Sequence, residues 1–376
     1  MGADGMSIDG AAIWVMAKGY APDEGGMQSY ASGVAEAYAA RGAEVTVFTQ
    51  TSQGPRREGV GGVLLVDVGP GGGIGIVRRL LRAVRQERAR AGAPLFVHGT
   101  TWRTSAVPML LGLPYLTTFH GREFMGGGAV VSAIMRRVAR KALRIVTVSE
   151  YSATRLRARL GRGASPIVAH NGVSIGDAAV PTDAAPSSIP LLFSLCRLEP
   201  RKNIAACVKA CARLKESGRS FRYVIAGRGP ELEPLRSLVA RLGLSQEVEL
   251  AGFVPQAEAE RLYHAADIFL HPQIEIAGGR DFEGFGIAIA DAMICRSAVV
   301  VGREGGAVEL VEDGLSGLVV DGGDEDALTA AIDRLLRDEG LRTRMAAAAQ
   351  DRARASFSWD RHVGIILHVL GEATPR

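Results

Sequence analysis

Cysteine is scarce in this 376-residue chain: there are four, with no Cys-x-x-Cys pair and no cysteine–histidine spacing of a zinc site. That excludes a disulfide-stapled scaffold and leaves Cys196, Cys207, Cys211 and Cys295 as small buried hydrophobes. Aromatic residues make up 6% of the chain and do not interleave with its arginines, so a nucleic-acid partner is not expected. No apolar run approaches the ~20 residues of a membrane-spanning helix. The start, "MGADGMSIDG", lacks the basic n-region of a signal peptide, and Ser7 stands one place too late for a myristoylation signal. These absences lead us to expect a cytoplasmic protein. Neither half has a Gly-x-Gly-x-x-Gly turn followed by a ribose-binding acid, which disfavours a NAD-dependent dehydrogenase.

Apolar residues, by contrast, are plentiful: 47% are hydrophobic and 22% charged, enough to fill two ordinary cores in a chain of this length. The formal charge of +4 is unevenly spread, with a basic first half and an acidic second half, so an anionic partner is expected for the first. "AAIWVMA", "YAPDEGG", "MQSYASGVAEAYAARG" and "EVTVFTQ" read as strand, loop, helix and strand. Further strands are expected at "PLFVHG", "PYLTTFHG", "RIVTVSE" and "SPIVAHNG", making the first half an open parallel sheet. Residues 177–190, "DAAVPTDAAPSSIP", read as a linker. Alternation then resumes with "IPLLFSLCRL", "FRYVIAGRG", "EVELAGFV", "DIFLHP", "SAVVVG" and "GLVV". The expected architecture is α/β, with two Rossmann-like domains facing each other across a cleft at their strand C-termini. Residues 1–180 would form the first domain and 186–357 the second, with a tail helix over 358–376 crossing back to the first.

Glu283 and Asp291 bracket an apolar stretch, "EGFGIAIAD". If residues 284–295 are helical with Glu283 at the N-cap, the two acids lie ~12 Å apart along the axis. A glycosidase pair sharing one bond needs carboxyls only ~5–9.5 Å apart. The spacing therefore fits contacts to separate parts of an extended ligand, with phosphates at the helix start. Spacing alone leaves a plain helix cap and a surface aspartate equally open.

"FEGFGIAIADAM" followed by "GREGGAVELVEDGLSGLVV" resembles the C-terminal signature of the family-4 retaining glycosyltransferases, of GT-B fold. The likeness extends to "EGGMQSYASGVAEAYAARGAEVTVFT", "TTFHG", "VTVSEYSATRL", "HNGVS", "RLEPRKN", "VIAGRGPE", "AGFVP" and "LYHAADIFLHP", in order along nearly the whole chain. It implies that Arg197 and Lys202 hold a donor diphosphate and stabilise the departing nucleotide. Glu283 would bind hydroxyls of the transferred sugar. Asp291, where the family usually has Glu, would bind the ribose with a side chain ~1.5 Å shorter. Gly25 and Gly26 match the glycine loop that approaches phosphate or sugar. Gly227, Val254, Gly284, Phe285, Gly286 and Ile287 complete the implied donor site, and Gly305, Gly306 and Glu309 also match the signature. His120 matches a histidine beside the donor sugar and joins Arg197, Lys202 and Glu283 as catalytic candidates. His98, Thr100 and Trp102 are acceptor-site candidates at another strand end. Cys196 departs from the glycine that commonly precedes the arginine.

The resemblance implies front-face, metal-independent transfer to a glycan, lipid-linked or small-molecule acceptor, with a nucleotide sugar as donor and no cofactor. "GGRDFEGFGI" resembles bacterial mannosyltransferases of polysaccharide and glycolipid synthesis, pointing to GDP-mannose ahead of UDP-sugars. A GT-B sugar-nucleotide epimerase and a non-catalytic sugar-nucleotide binder are the rival readings. "GGDEDAL" looks like a metal-binding Asp-x-Asp, but its place before a helix favours Asp324 as an N-cap. Arg78, Arg79, Arg82 and Arg85, and likewise Arg136, Arg137, Arg140, Lys141 and Arg144, alternate with apolar residues. Such stretches suit either a solvated helix face or peripheral contact with an anionic inner membrane face.

Overall fold

Runs such as Ile13–Trp14–Val15–Met16 and Ala298–Val299–Val300–Val301 are apolar at every position and buried throughout, the pattern of strands covered on both faces. The computed structural model describes residues 6–23, 25–161, 163–176 and 189–372. The chain divides into two compact units, Met1–Gly172 with Ser358–Arg376, and Val173–Phe357. Most of the expected linker, residues 177–188, lies outside the described residues.

The first unit carries β1 (Ala12–Met16), β2 (Glu44–Thr49), β3 (Arg56–Val60), β4 (Val63–Asp67), β5 (Phe96–Gly99), β6 (Tyr115–Phe119), β7 (Arg144–Thr147) and β8 (Ile167–Val168). They form one sheet in the order β3-β4-β2-β1-β5-β6-β7-β8. The sheet is not wholly parallel, as the sequence had suggested, because β3 runs antiparallel to β4 at its edge. Gly61 and Gly62, at φ 56° and 82°, supply the positive-φ pair of a two-residue hairpin turn, so "VGGV" was the overlooked signal. Helix Trp359–Glu372 belongs to this unit and packs on helix Gly26–Ala40. Arg41 Nε donates to Asp360 at 2.7 Å there, and Tyr30 and His362 meet at 3.0 Å beneath.

The second unit carries β9 (Leu191–Leu195), β10 (Arg222–Ala226), β11 (Val248–Gly252), β12 (Ile268–His271), β13 (Ala298–Gly302) and β14 (Leu318–Val320). Their order is β11-β10-β9-β12-β13-β14, all parallel. Both sheets are Rossmann-like. In each, the strand order reverses direction beside the first strand, and ligands of such sheets bind outside the carboxyl ends of the strands at that point.

Candidate active site

In the second unit the reversal falls between β9 and β12, and polar or charged residues stand at or just beyond both strand ends. β9 runs out into Cys196 and Arg197, and a 3₁₀ turn, Pro200–Lys202, follows. β12 ends at His271, which is wholly buried. Lys202 is buried too; its Nζ pairs with the Glu283 carboxylate and lies 3.3 Å from His271 Nε2. Burial alone would raise the Glu283 pKa, but Lys202, His271 and Arg201 together hold it well below the usual carboxylate range. His271 is pushed down to about 4, by burial first and by Lys202 second, so it is neutral at pH 7. Arg197 differs from its neighbours: its side chain is 77% exposed and pairs with Glu199 at 3.1 Å. A planar, exposed guanidinium beside a buried ammonium can engage a diphosphate from two sides.

Sequence reasoning missed Arg201. Its guanidinium is 14% exposed and lies 2.7 Å from Glu283, 3.3 Å from Asp281 and 3.5 Å from Glu199. Nothing in the spacing of "EPRKN" separates it from a surface cation. Only the fold brings three carboxylates around it.

The helix after Glu283 starts later than the spacing suggested. It spans Ile287–Ile294 with Gly286 at the N-cap, so Glu283, Gly284 and Phe285 belong to the preceding loop, not to a first turn. Gly286, at φ 89°, takes a left-handed conformation that blocks earlier helix. The Glu283 carbonyl accepts from Gly306 N–H at 2.8 Å, tying the loop to the Gly305–Gly306 turn. Asp291 is buried rather than on the surface, and its Oδ1 accepts from Ser174 N–H at 2.6 Å. Burial pushes its pKa up to about 7 against the backbone N–H groups of Ser174 and Ile175. Any ribose would share this carboxylate with that backbone.

Gly227 has a packing task. A Cβ there would stand 1.8 Å from the Cys196 carbonyl, so only glycine lets β10 close against the loop bearing Arg197. Cys196 is itself buried, its thiol pushed up to about 11 by burial, and it fills space without reacting. Val254 is half-buried just after β11, and Phe285 is buried against Phe357. Glu309 lies in a 3₁₀ turn, Gly306–Leu310. Asp324 caps helix Glu325–Arg337, accepting from the N–H groups of Asp326 and Ala327, while Glu325 pairs with Lys209 and Asp326 with Arg213.

In the first unit, Gly25 and Gly26 stand at the start of the helix after β1, with no side chain capping it and open space where a Gly26 Cβ would be. His120 follows β6; its Nε2 donates to the Thr100 carbonyl at 2.8 Å, and its ring meets the Tyr30 ring edge-on at 4.6 Å. That bond places the proton on Nε2 and leaves Nδ1 as acceptor. The acceptor-site candidates do not fit that role. His98 is wholly buried, with Tyr38 at 3.1 Å from Nδ1 and Thr118 at 2.9 Å from Nε2. Thr100 is also wholly buried, and Trp102 is buried with its indole donating to the Glu123 carbonyl. They belong to the core because the strand end of β5 is covered, which strand periodicity alone does not reveal.

Two Rossmann-like units with charged and polar groups at the carboxyl ends of their parallel strands have the architecture of the GT-B class. The chain matches the family model Glycosyltransferase Family 4 over residues 24–176 and Glycosyl transferases group 1 over residues 182–352. It is 32% identical over 278 residues to a GDP-mannose-dependent alpha-(1-6)-phosphatidylinositol monomannoside mannosyltransferase of Mycolicibacterium smegmatis, covering 69% of this chain and 73% of that one. It is 38% identical over 158 residues to the putative colanic acid biosynthesis glycosyltransferase WcaL of Escherichia coli, covering 41% and 39%. In fold it is similar to sucrose-phosphate synthase from Thermosynechococcus elongatus (TM-score 0.80, 20% identity, 97% of this chain and 100% of that one). It is similar also to Anabaena HepE in complex with UDP and glucose (TM-score 0.75, 20% identity, 96% and 100%). The chain belongs to the family-4 glycosyltransferases, and it is a hexosyltransferase that draws on a nucleoside-diphosphate sugar.

Proposed function

We propose that this enzyme transfers mannose, with retention, from GDP-mannose to a glycan or lipid-linked acceptor. The second unit would hold the donor and the basic first unit the acceptor. The observation that carries the reading is the meeting of Lys202 and Glu283, one cation and one anion from separate loops, at the switch point between β9 and β12. In this reading Arg197 and Lys202 neutralise the diphosphate, Glu283 accepts from sugar hydroxyls and Asp291 from the ribose. Gly227, Val254, Gly284, Phe285, Gly286 and Ile287 would line the donor. Gly25 and Gly26, at an uncapped helix start, and His120 are the first unit's candidates for contact with phosphate and sugar. A leaving phosphate oxygen held by Arg197 and Lys202 is well placed to take the acceptor's proton, which suits front-face attack. The choice of GDP-mannose rests on the mycobacterial relatives.

The basic helices support a lipid-bound acceptor. Helix Gly73–Ala91 exposes Ile74 (72%) beside Arg78, Arg79, Arg82 and Arg85, and helix Ala129–Lys141 exposes Val130 (73%) beside Arg136, Arg137, Arg140 and Lys141. Apolar and basic groups on one exposed face suit peripheral contact with anionic lipid. No helix among the described residues is long and apolar enough to cross a membrane.

A thermal-shift series with GDP-mannose, UDP-glucose and ADP-glucose tests the donor. A ligand at a hundredfold excess over its Kd adds ~2.7 kcal/mol of apparent stability. GDP-mannose should give the largest shift and label an extractable lipid or glycan in membrane extract. A shift confined to UDP- or ADP-sugars would overturn the mannosyl assignment.

A further inference from the structure

Lys202 faces two demands at once. Its ammonium pairs with Glu283, yet the proposed function asks the same ammonium to meet a diphosphate. If Lys202 turned to the phosphates and nothing else faced Glu283, a buried carboxylate would be left uncompensated, and a proton would be drawn onto it. The surroundings provide a second cation. Arg201 Nη1 donates to Glu283 Oε2 at 2.7 Å, from a side chain with little exposure.

We propose that Arg201 is the positioning residue of this site: it keeps Glu283 ionised and aimed while Lys202 is handed over to the donor diphosphate. The inference rests on the reading of the donor site given above.

Arg201 is built for that task. Its own backbone carbonyl accepts from Ile274 N–H at 2.9 Å, so the residue grips the start of the loop that ends in Glu283. The loop is closed on itself by paired backbone bonds between Ile276 and Asp281, at 3.1 and 3.3 Å. Asp281 faces the guanidinium at 3.3 Å and Glu199 faces it at 3.5 Å. The guanidinium is thus fixed on three sides by carboxylates from two segments, whereas Lys202 carries a compact ammonium on a flexible stem that can turn to a phosphate. The charged and titratable groups around the pair are Glu199, Lys202, His271, Asp281 and Glu283, with Arg197 paired to Glu199 and the Cys196 thiol close by. His271 is neutral, so it cannot take over from Arg201.

The test compares binding of GDP-mannose with binding of GDP by calorimetry, from about pH 5 to pH 8, and repeats the comparison with UDP-glucose and UDP. In the donor-site reading Glu283 meets the sugar and not the nucleotide, so the affinity ratio within a pair reports it. In the wild type the ratio should favour the sugar nucleotide and stay flat with pH. Arg201→Met should bind free GDP within about threefold of wild type, which also shows that the variant is folded. Its preference for the sugar nucleotide should fall about tenfold or more, and fall further as pH drops, because Glu283 then gains a proton. Arg201→Lys should recover most of the preference at pH 8.

Glu283→Gln separates the two ideas. If it removes the preference and Arg201→Met leaves both the preference and its pH profile intact, the positioning role is overturned. If Glu283→Gln itself changes nothing, or the wild type shows no preference in either pair, the donor-site reading fails and this inference with it.

Discussion

Glu283 stays ionised where burial would neutralise it, and the cations that hold it so are not equivalent. Arg197 is exposed and Lys202 is enclosed, so the same change at each should behave differently. Either alanine variant should cut turnover by ~10²-fold through lost charge stabilisation of the leaving diphosphate. Only Lys202→Ala should lower thermal stability as well, because it removes a buried partner of Glu283; with Arg201 still facing the carboxylate, the loss should stay below the ~3–5 kcal/mol of a buried charge left uncompensated. Melting curves beside steady-state rates check this; equal stability losses would contradict the burial argument. Asp291 gives a pH signature. Its pKa is raised to about 7 in the fold, so its ionisation is disfavoured there relative to the unfolded chain. Its share of stability is full below about pH 4 and drains away as pH rises toward 7, since the folded state then holds the extra proton. Asp291→Asn should therefore match the wild type near pH 4 and become the more stable protein by pH 8. Parallel melting temperatures across that range would show that Asp291 is not held as described. Neither the burial of Asp291 nor the role of Arg201 was legible in sequence, because both depend on which backbone the fold brings beside them.

The elements themselves were far more legible, for a physical reason: strands buried on both faces write themselves as short apolar runs, and β1, β2 and β5 to β14 all lie within the segments so expected. Of the overlooked β3–β4 hairpin, β3, "RREGV", is a largely exposed edge strand with almost no apolar pattern, whereas β4, "VLLVD", is a buried apolar run that went unread. The start of helix Ile287–Ile294 was misplaced because a left-handed Gly286 is invisible to periodicity. Helix Glu325–Arg337 shows the opposite case, where local chemistry suffices. Asp324 bonds two N–H groups of the first turn, and its acidic neighbours are paired with Lys209 and Arg213. Asp324→Ala should cost ~1 kcal/mol of stability with catalysis unchanged. EDTA should likewise leave turnover intact; loss of activity restored by Mn²⁺ would return "DED" to the site. The arginine-bearing helices can be tested as elements too. Binding to vesicles should require anionic lipid and weaken from low to physiological salt. Equal binding to neutral vesicles, or none to either, would leave those helices as solvated faces.

At the scale of the molecule, two sheets with the same reversal beside the first strand, one wholly parallel and one with an antiparallel edge strand, belong to halves of unlike charge, the first basic and the second acidic. The family was visible from ordered motifs along the chain, and matches over residues 24–176 and 182–352 agree with it. The acceptor was not visible, since His98, Thr100 and Trp102 proved to be core residues. The central claim is that sugar leaves its nucleotide at the Glu283 site and reaches an acceptor with its configuration kept. Proton and phosphorus NMR of GDP-mannose incubated with the protein and a bacterial lipid extract tests this most directly. An α-linked mannoside and free GDP should appear in equal amounts, with both abolished, and GDP binding retained, in Glu283→Gln. Donor rearranged to another sugar nucleotide without GDP release, a β-linked product, or an unimpaired Glu283→Gln variant would contradict it.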